Sequence, residues 1–345
     1  MAIINNPPST CAVSVIVPMY NAEKYIGECL DSLLNQTFQN FEVILVNDCA
    51  TDNSRQVAET YLEKFGGRLK IYDNKKNSGV SVTRNRGLLL SRGEYVFFLD
   101  SDDIITETAL EEMYNLAKKY DADFVNCMKN YKMSEDGKDR KLFSLKKITP
   151  NDETLAEEDL NWRFKKLYTG TLGWGPPRKF LRRDFLIENE LFFIKNILSA
   201  EDKVWTLGIL FCAKKMVHAP LALYFYRQSE NSITRTKKTF RQKVMLSLTA
   251  YFYGLKWIDN IMNQVELFKQ NPQYRHEIFK KFANDRFNLL AARTSNVPAS
   301  NVYETVKNEF RKDFGKHDVL VAELCSLINE QYKEIIRLNE QLNAK

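Results

Sequence analysis

A chain of 345 residues, 44% hydrophobic and 27% charged, has the make-up of an ordinary globular protein, with length for one large domain and a smaller one. No run approaches the ~20 apolar residues of a membrane-crossing helix, and the first residues lack the basic and apolar segments of a secretion signal. A net charge of +6 suits an anionic ligand or a membrane surface, but it is too dispersed to argue for nucleic acid.

After a tail over 1–12, the first half alternates apolar runs with helical stretches. Strands are expected at 13–17, 41–46, 69–72 and 95–99, and helices at 23–35, 54–65, 82–91 and 108–119. The first helix shows its buried face in Ile26, Leu30, Leu33 and Leu34. Such alternation implies crossover connections and an α/β fold with a mostly parallel sheet, whose ligands bind beyond the carboxyl ends of the strands. Between 123 and 226 the pattern loosens, with strands at 124–131 and 217–226, helices at 153–166 and 202–213, and a Gly/Pro-rich loop at 169–177. From about Lys237 the chain reads as helical, over 244–268 and 276–293, with breaks at Pro272 and Pro298. Val321, Ile328, Ile335 and Leu342 then recur at heptad spacing, with Leu324 and Leu338 between them. The resulting domain plan is 13–236, 237–317 and 318–345. Self-association through Val321 to Leu342 and peripheral membrane contact stay open as partners; nucleic acid is not expected, although 234–243 is a dense basic run. Six scattered cysteines without a CxxC pair, and three distant histidines, argue for a reducing, cytoplasmic setting and against a zinc site.

The chemistry sits in the loops after the first four strands. Phe97-Phe98-Leu99 runs into Asp100, Ser101, Asp102 and Asp103, three carboxylates in four residues, whose repulsion a divalent cation would relieve. Hard oxygen ligands suit Mg2+ or Mn2+; a simple helix cap would need only one Asp. The first strand ends Val17-Pro18-Met19-Tyr20-Asn21, where Tyr20 offers a flat ring to a base and no phosphate-binding glycine motif is present. Asp48 follows the second strand, beside Asp52, which caps a helix. Asn77 and Gly79 turn the chain toward a helix bearing Arg84, a nucleotide contact or a surface arginine. Ser199 to Asp202 fits a capping box.

Order and spacing at these loops resemble glycosyltransferase family 2 on the GT-A fold. The resemblance rests on PMYNAEKYIGECLDSLLNQTFQNFEVILVND and NSGVSVTRNRGLLLSRGEYVFFLDSDD, is close over 13–112 and looser to Thr234. It implies a catalytic domain over 13–236, a UDP-sugar donor against Pro18, Tyr20, Asn21, Asp48, Asn77, Gly79 and Arg84, and a DxD motif of Asp100, Ser101 and Asp102. Asp102 would then be the metal ligand, with Asp100 nearer the ribose. Cys49 stands where many relatives have glycine. Asp202 resembles the family's base, and Glu201 and Trp174 would serve the acceptor side, although Pro176 to Arg178 disturbs the motif around Trp174. The stretch from Tyr224 to Thr234 resembles the end of the catalytic domain, where Arg227 would reach the diphosphate or anchor the strand. The implied reaction is inverting, with Mn2+ or Mg2+ as cofactor and a glycan or lipid-linked hydroxyl acceptor, in the cytoplasm or at the inner face of the membrane. The rival expectation is an inactive scaffold of the same fold that oligomerises through its last helix.

Overall fold

The computed structural model describes residues 10–144, 155–157, 159–163, 174–228, 238–294, 296–310 and 337. The chain divides into two compact units, Met1–Lys195 with Trp205–Arg235, and Asn196–Val204 with Thr236–Lys345. The insertion of 196–204 into the second unit has no signal in the sequence.

The first unit is built on one sheet. Its first half alternates β1 (Cys11–Met19), α1 (Ile26–Leu34), β2 (Phe41–Asn47), α2 (Ser54–Glu59), β3 (Leu69–Asp73), α3 (Val80–Leu90) and β4 (Gly93–Phe98). These strands are parallel in the order β3-β2-β1-β4, with Val15 opposite both Val43 and Phe97. All seven residues of β2 are buried, which is why Val43 to Val46 read as a continuous apolar run rather than an alternating one. The helix expected over 54–65 ends at Glu59 and continues as turns.

The second half adds β5 (Ile104–Ile105), α4 (Ala109–Tyr120), β6 (Phe124–Met133), β7 (Arg140–Ser144), β8 (Leu155–Glu157), β9 (Lys179–Arg182), α5 (Arg183–Glu188), α6 (Glu201–Cys212) and β10 (Met216–Arg227). Strand β9 enters antiparallel between β4 and β6, β10 lies parallel to β6, and β5 and β8 pair antiparallel with β10. The sheet is therefore parallel in its first half, as the alternation implies, and mixed beyond it. The segment 155–157, expected to be helical, is a strand because the β10 edge offers its backbone ladder bonds at His218 to Met216. Phe98, Phe193 and Trp205 close the core beneath β4, with Phe193 stacked on Trp205 at 4.2 Å.

In the second unit a capping box at Thr239 and Gln242 starts α7 (Phe240–Thr249). A π-helical turn, Ala250–Gly254, leads to α8 (Leu255–Met262), followed by α9 (Glu266–Gln270), α10 (Pro272–Thr294) and α11 (Ala299–Phe310). Val244, Leu248, Leu290, Val302 and Val306 form its core. The expected helix 244–268 is thus interrupted at 263–265. The expected break at Pro272 is present: α9 ends at Gln270, and Pro272 opens α10 four residues before the expected start, as the first helical position tolerates its missing N–H. The expectations for Ser232 to Thr234, most of the loop at 169–177, part of the basic run and all but Arg337 of the heptad stretch fall outside the described residues. Among the described residues, no helix is long and apolar enough to cross a membrane.

Candidate active site

The polar loops after β1 to β4 gather at one end of the first unit's sheet. Strand β1 runs on to Met19, so Pro18 is buried inside it opposite Val46 rather than forming an exit that faces a donor. Leu99 N donates to Ile16 O (3.0 Å), so alternation turns Pro18 N to that same side, just past the end of β4 at Phe98. The missing N–H falls where no ladder bond is due. Tyr20 emerges next, 48% exposed, with its ring open to a ligand. Asn21 adopts φ +49° and accepts from Thr51 N (2.8 Å) through Oδ1, so its side chain fastens two loops together.

Asp48 is 3% exposed and already engaged. Its Oδ1 accepts from Asn74 Nδ2 (2.7 Å) and Ser78 N (2.9 Å), and its Oδ2 from Gly79 N (2.8 Å). The carboxylate therefore shapes the 74–79 loop, with Oδ2 taking a single bond. That loop turns at Gly79 with φ +83°, a conformation that disfavours a side chain, and leaves Asn77 exposed. Asp52 accepts from Glu23 N (3.1 Å) and Ser54 N (3.0 Å); burial raises its carboxyl, but the bonds from Ser54 and Glu23 bring it below the usual range.

At the tip of β4 the three acids separate. Arg84, its side chain 6% exposed and stacked over Phe193, pairs with Asp100 at 2.7 Å, so it is not a surface arginine. Ser101 is buried. Asp103 turns inward, where it accepts from the Tyr224 hydroxyl and from Arg227 N (2.6 Å); burial and then Asp102 push its carboxyl well above the usual range. Asp102 rises to about 6, through burial first and the Asp100 charge second. Arg227 is fully buried and bonded to Glu28 (2.7 Å) and the Asp102 carbonyl (2.8 Å), which makes it an anchor rather than a group presented to a diphosphate. Sequence reasoning gave no site role to Glu28, Asn74 or Tyr224. Asn74 had a positional signal just past β3, and Tyr224 opens the stretch that resembles the end of the catalytic domain.

Among the described residues no three His, Cys, Asp or Glu side chains form a ready-made metal cage. One or two carboxylates completed by phosphate oxygens are, however, the usual protein share of a Mg2+ or Mn2+ site. Asp102 fits that share: in this turn Arg84 holds Asp100 and Tyr224 holds Asp103, and burial and the Asp100 charge raise the Asp102 carboxyl.

Trp174 is half-buried, and its carbonyl accepts from Thr206 Oγ1 (2.8 Å) and from the buried Lys179 Nζ (3.0 Å). Asp202 and Glu201 open α6 within the second unit. The capping box expected from Ser199 is not the one formed: Ala200 precedes the helix at φ +67°, and Asp202 Oδ1 accepts from Lys203 N (2.7 Å). Arg286 and Lys203 both feel the Asp202 charge, although burial is the larger influence on each and lowers both.

The model of the family described as glycosyl transferase family 2 matches residues 14–177. An uncharacterized glycosyltransferase of Bacillus subtilis, EpsJ, is 33% identical over 64% of this chain and 62% of its own length. Glycosyltransferase GlyG of Streptococcus pneumoniae is 31% identical over 65% of the chain and 73% of its own. Poly(ribitol-phosphate) beta-N-acetylglucosaminyltransferase TarP of Staphylococcus aureus is 29% identical over 88% and 87%. The match spans less than two thirds of the length of EpsJ and of other curated relatives. Among solved structures, residues 1–349 of S. aureus TarS superpose with a TM-score of 0.63 at 24% identity, covering 96% of this chain and 91% of that one. The same protein in complex with UDP-GlcNAc gives 0.58.

Proposed function

The chain belongs to glycosyl transferase family 2, and from that premise we propose that it transfers a sugar from a UDP-sugar to a hydroxyl of a glycan or lipid-linked acceptor, with inversion at the anomeric carbon. The observation that supports this best is the tip of β4, where Asp100 is held by Arg84 beside a carboxyl, Asp102, that burial and Asp100 have driven up to about 6. The TarS complex with UDP-GlcNAc makes a UDP-linked N-acetylhexosamine the first donor to try.

In this reading Tyr20 stacks on the uracil, the 74–79 loop shaped by Asp48 borders the nucleotide, and Asp100 takes the ribose side. A divalent ion, Mn2+ or Mg2+, held by Asp102 with Asp100 would neutralise the diphosphate as charge develops on the leaving nucleotide. Asp202 removes the acceptor proton as that oxygen attacks C1 from the opposite face; a helix N-terminus favours negative charge at this position. Glu201 and Trp174 are assigned to the acceptor side. The proposed setting is the cytoplasm, at the inner membrane face if the acceptor is lipid-linked.

Calorimetry over a panel of UDP- and GDP-sugars with and without Mn2+, followed by a nucleotide-release assay, tests the reading. Binding of one UDP-sugar that needs the metal, and release of UDP, are expected. Asp102→Asn should abolish both, whereas Asp202→Asn should keep donor binding and slow transfer by about two to four orders of magnitude, the general-base contribution. Metal-independent binding would remove Asp102 from its role, and a fully active Asp202→Asn would remove the base.

A further inference from the structure

Arg227, the last residue of β10, directs its N–H groups to four different places. Its backbone N donates to Asp103 Oδ1 (2.6 Å), Nε to the Asp102 carbonyl (2.8 Å), Nη1 to the Glu135 carbonyl (2.5 Å) and Nη2 to Glu28 Oε2 (2.7 Å). Its guanidinium lies over the Tyr25 ring at 4.9 Å, and Tyr25 in turn donates to Glu135 Oε1 (2.6 Å). Three residues earlier on the same strand, the Tyr224 hydroxyl holds the other oxygen of Asp103. Strand β10 thus grips the acidic turn from behind by the backbone oxygen of Asp102 and the carboxylate of Asp103. The same guanidinium fastens that turn to α1 and to the turn joining β6 and β7.

We propose that Arg227 is a positioning residue for the cation site: it fixes the main chain of Asp102, so that metal affinity depends on a guanidinium that touches neither metal nor donor. The inference rests on the reading of Asp102 given above. A planar fork whose three nitrogens each hold a different oxygen fixes a peptide in one orientation, which a lysine, a flexible point charge, does not reproduce. Groups behind a metal ligand of this kind are worth about 10–100-fold in affinity.

A buried arginine that only stabilised the fold would not change metal binding, and the same unit supplies a control. Arg163 is 1% exposed and donates to the carbonyls of Leu210 (3.3 Å), Ala213 and Lys214 (2.7 Å), none of them in the site. Mn2+ binding to the full chain would be followed by electron paramagnetic resonance with UDP saturating, beside UDP binding in EDTA. Arg227→Lys should weaken Mn2+ binding by about tenfold and leave UDP affinity in EDTA unchanged, whereas Arg163→Lys should lower Tm and leave the Mn2+ Kd alone. Should Arg227→Lys fail to fold, Glu28→Ala carries the test, because Glu28 is half-exposed and its loss frees only one arm of the guanidinium; about a threefold weakening is then expected. Unchanged Mn2+ affinity in the folded variant, or an equal loss in Arg163→Lys, overturns the proposal alone. A wild-type chain that binds no Mn2+ beside UDP overturns it together with the metal-dependent reading.

Discussion

A carboxylate removed from water beside another acid announces itself through its proton. Asp102 is raised to about 6 by burial and by Asp100, with Arg227 pulling the other way. An acid whose pKa is higher in the fold than in the unfolded chain holds its proton more tightly when folded. Its ionisation therefore costs the fold nothing below about pH 4 and its full penalty above about pH 6. Asp102→Asn removes that penalty, so without metal this variant should melt above wild type at about pH 7.5, and the gap should narrow through about pH 5 and close only below about pH 4. A stabilisation of about 1 kcal/mol corresponds to roughly 2–4 °C for a unit of this size, within reach of calorimetry in EDTA. Equal melting at the higher pH would contradict the argument that this corner waits for positive charge. The excess of acids was legible in the sequence, but their division of labour was not. Asp103 is taken by Tyr224, 121 residues further along the chain, and no local pattern can carry that information.

Among the elements, α3 places the most site chemistry. Its buried positions are Ser81, Thr83, Arg84, Gly87 and Leu88, a largely polar face, because it covers the strand ends where the donor is proposed to bind. Thr83 meets Asn74 Nδ2 at 3.1 Å, Arg84 takes Asp100, and Asn85 brackets Phe193 through both of that residue's backbone groups at 2.7 and 2.8 Å. The alternation of strands and helices located this helix, but a polar buried face leaves no apolar stripe to show which side it buries. Gly87 sets how closely α3 approaches β1, for a Cβ there would come within 2.3 Å of Ile16 Cγ2. Gly87→Ala is therefore expected to lift the helix, losing about 1–3 kcal/mol of stability by overpacking in urea unfolding. Donor affinity should fall with it, because Arg84 moves away from Asp100. A neutral Gly87→Ala would mean that the helix can slide without loss.

At the scale of the whole molecule, the segment 196–204 interrupts the first unit yet belongs to the second, and it carries Asp202. The donor loops could be read in order along 13–103, since each follows the strand that presents it. The setting of Asp202 could not, because it depends on helices that begin some forty residues later. Leu198 N donates to Thr249 Oγ1 (3.1 Å), at the end of α7. Beside it, the π-helical turn ends in Gly254, where a Cβ would stand 2.6 Å from Val204 Cγ2. Valine is stiff at χ1 and cannot swing that methyl aside cheaply, so Gly254→Ala should displace the segment itself. If Asp202 is the base, misplacing it by about 1 Å lowers kcat by about 10–100-fold. The donor Kd and the Mn2+ requirement should stay as in wild type, since Asp100 and Asp102 belong to the other unit. Adding Val204→Ala opens the missing space and should restore most of the rate. A Gly254→Ala enzyme with unchanged kcat, or one whose loss lies in donor binding, would separate this segment from the chemical step.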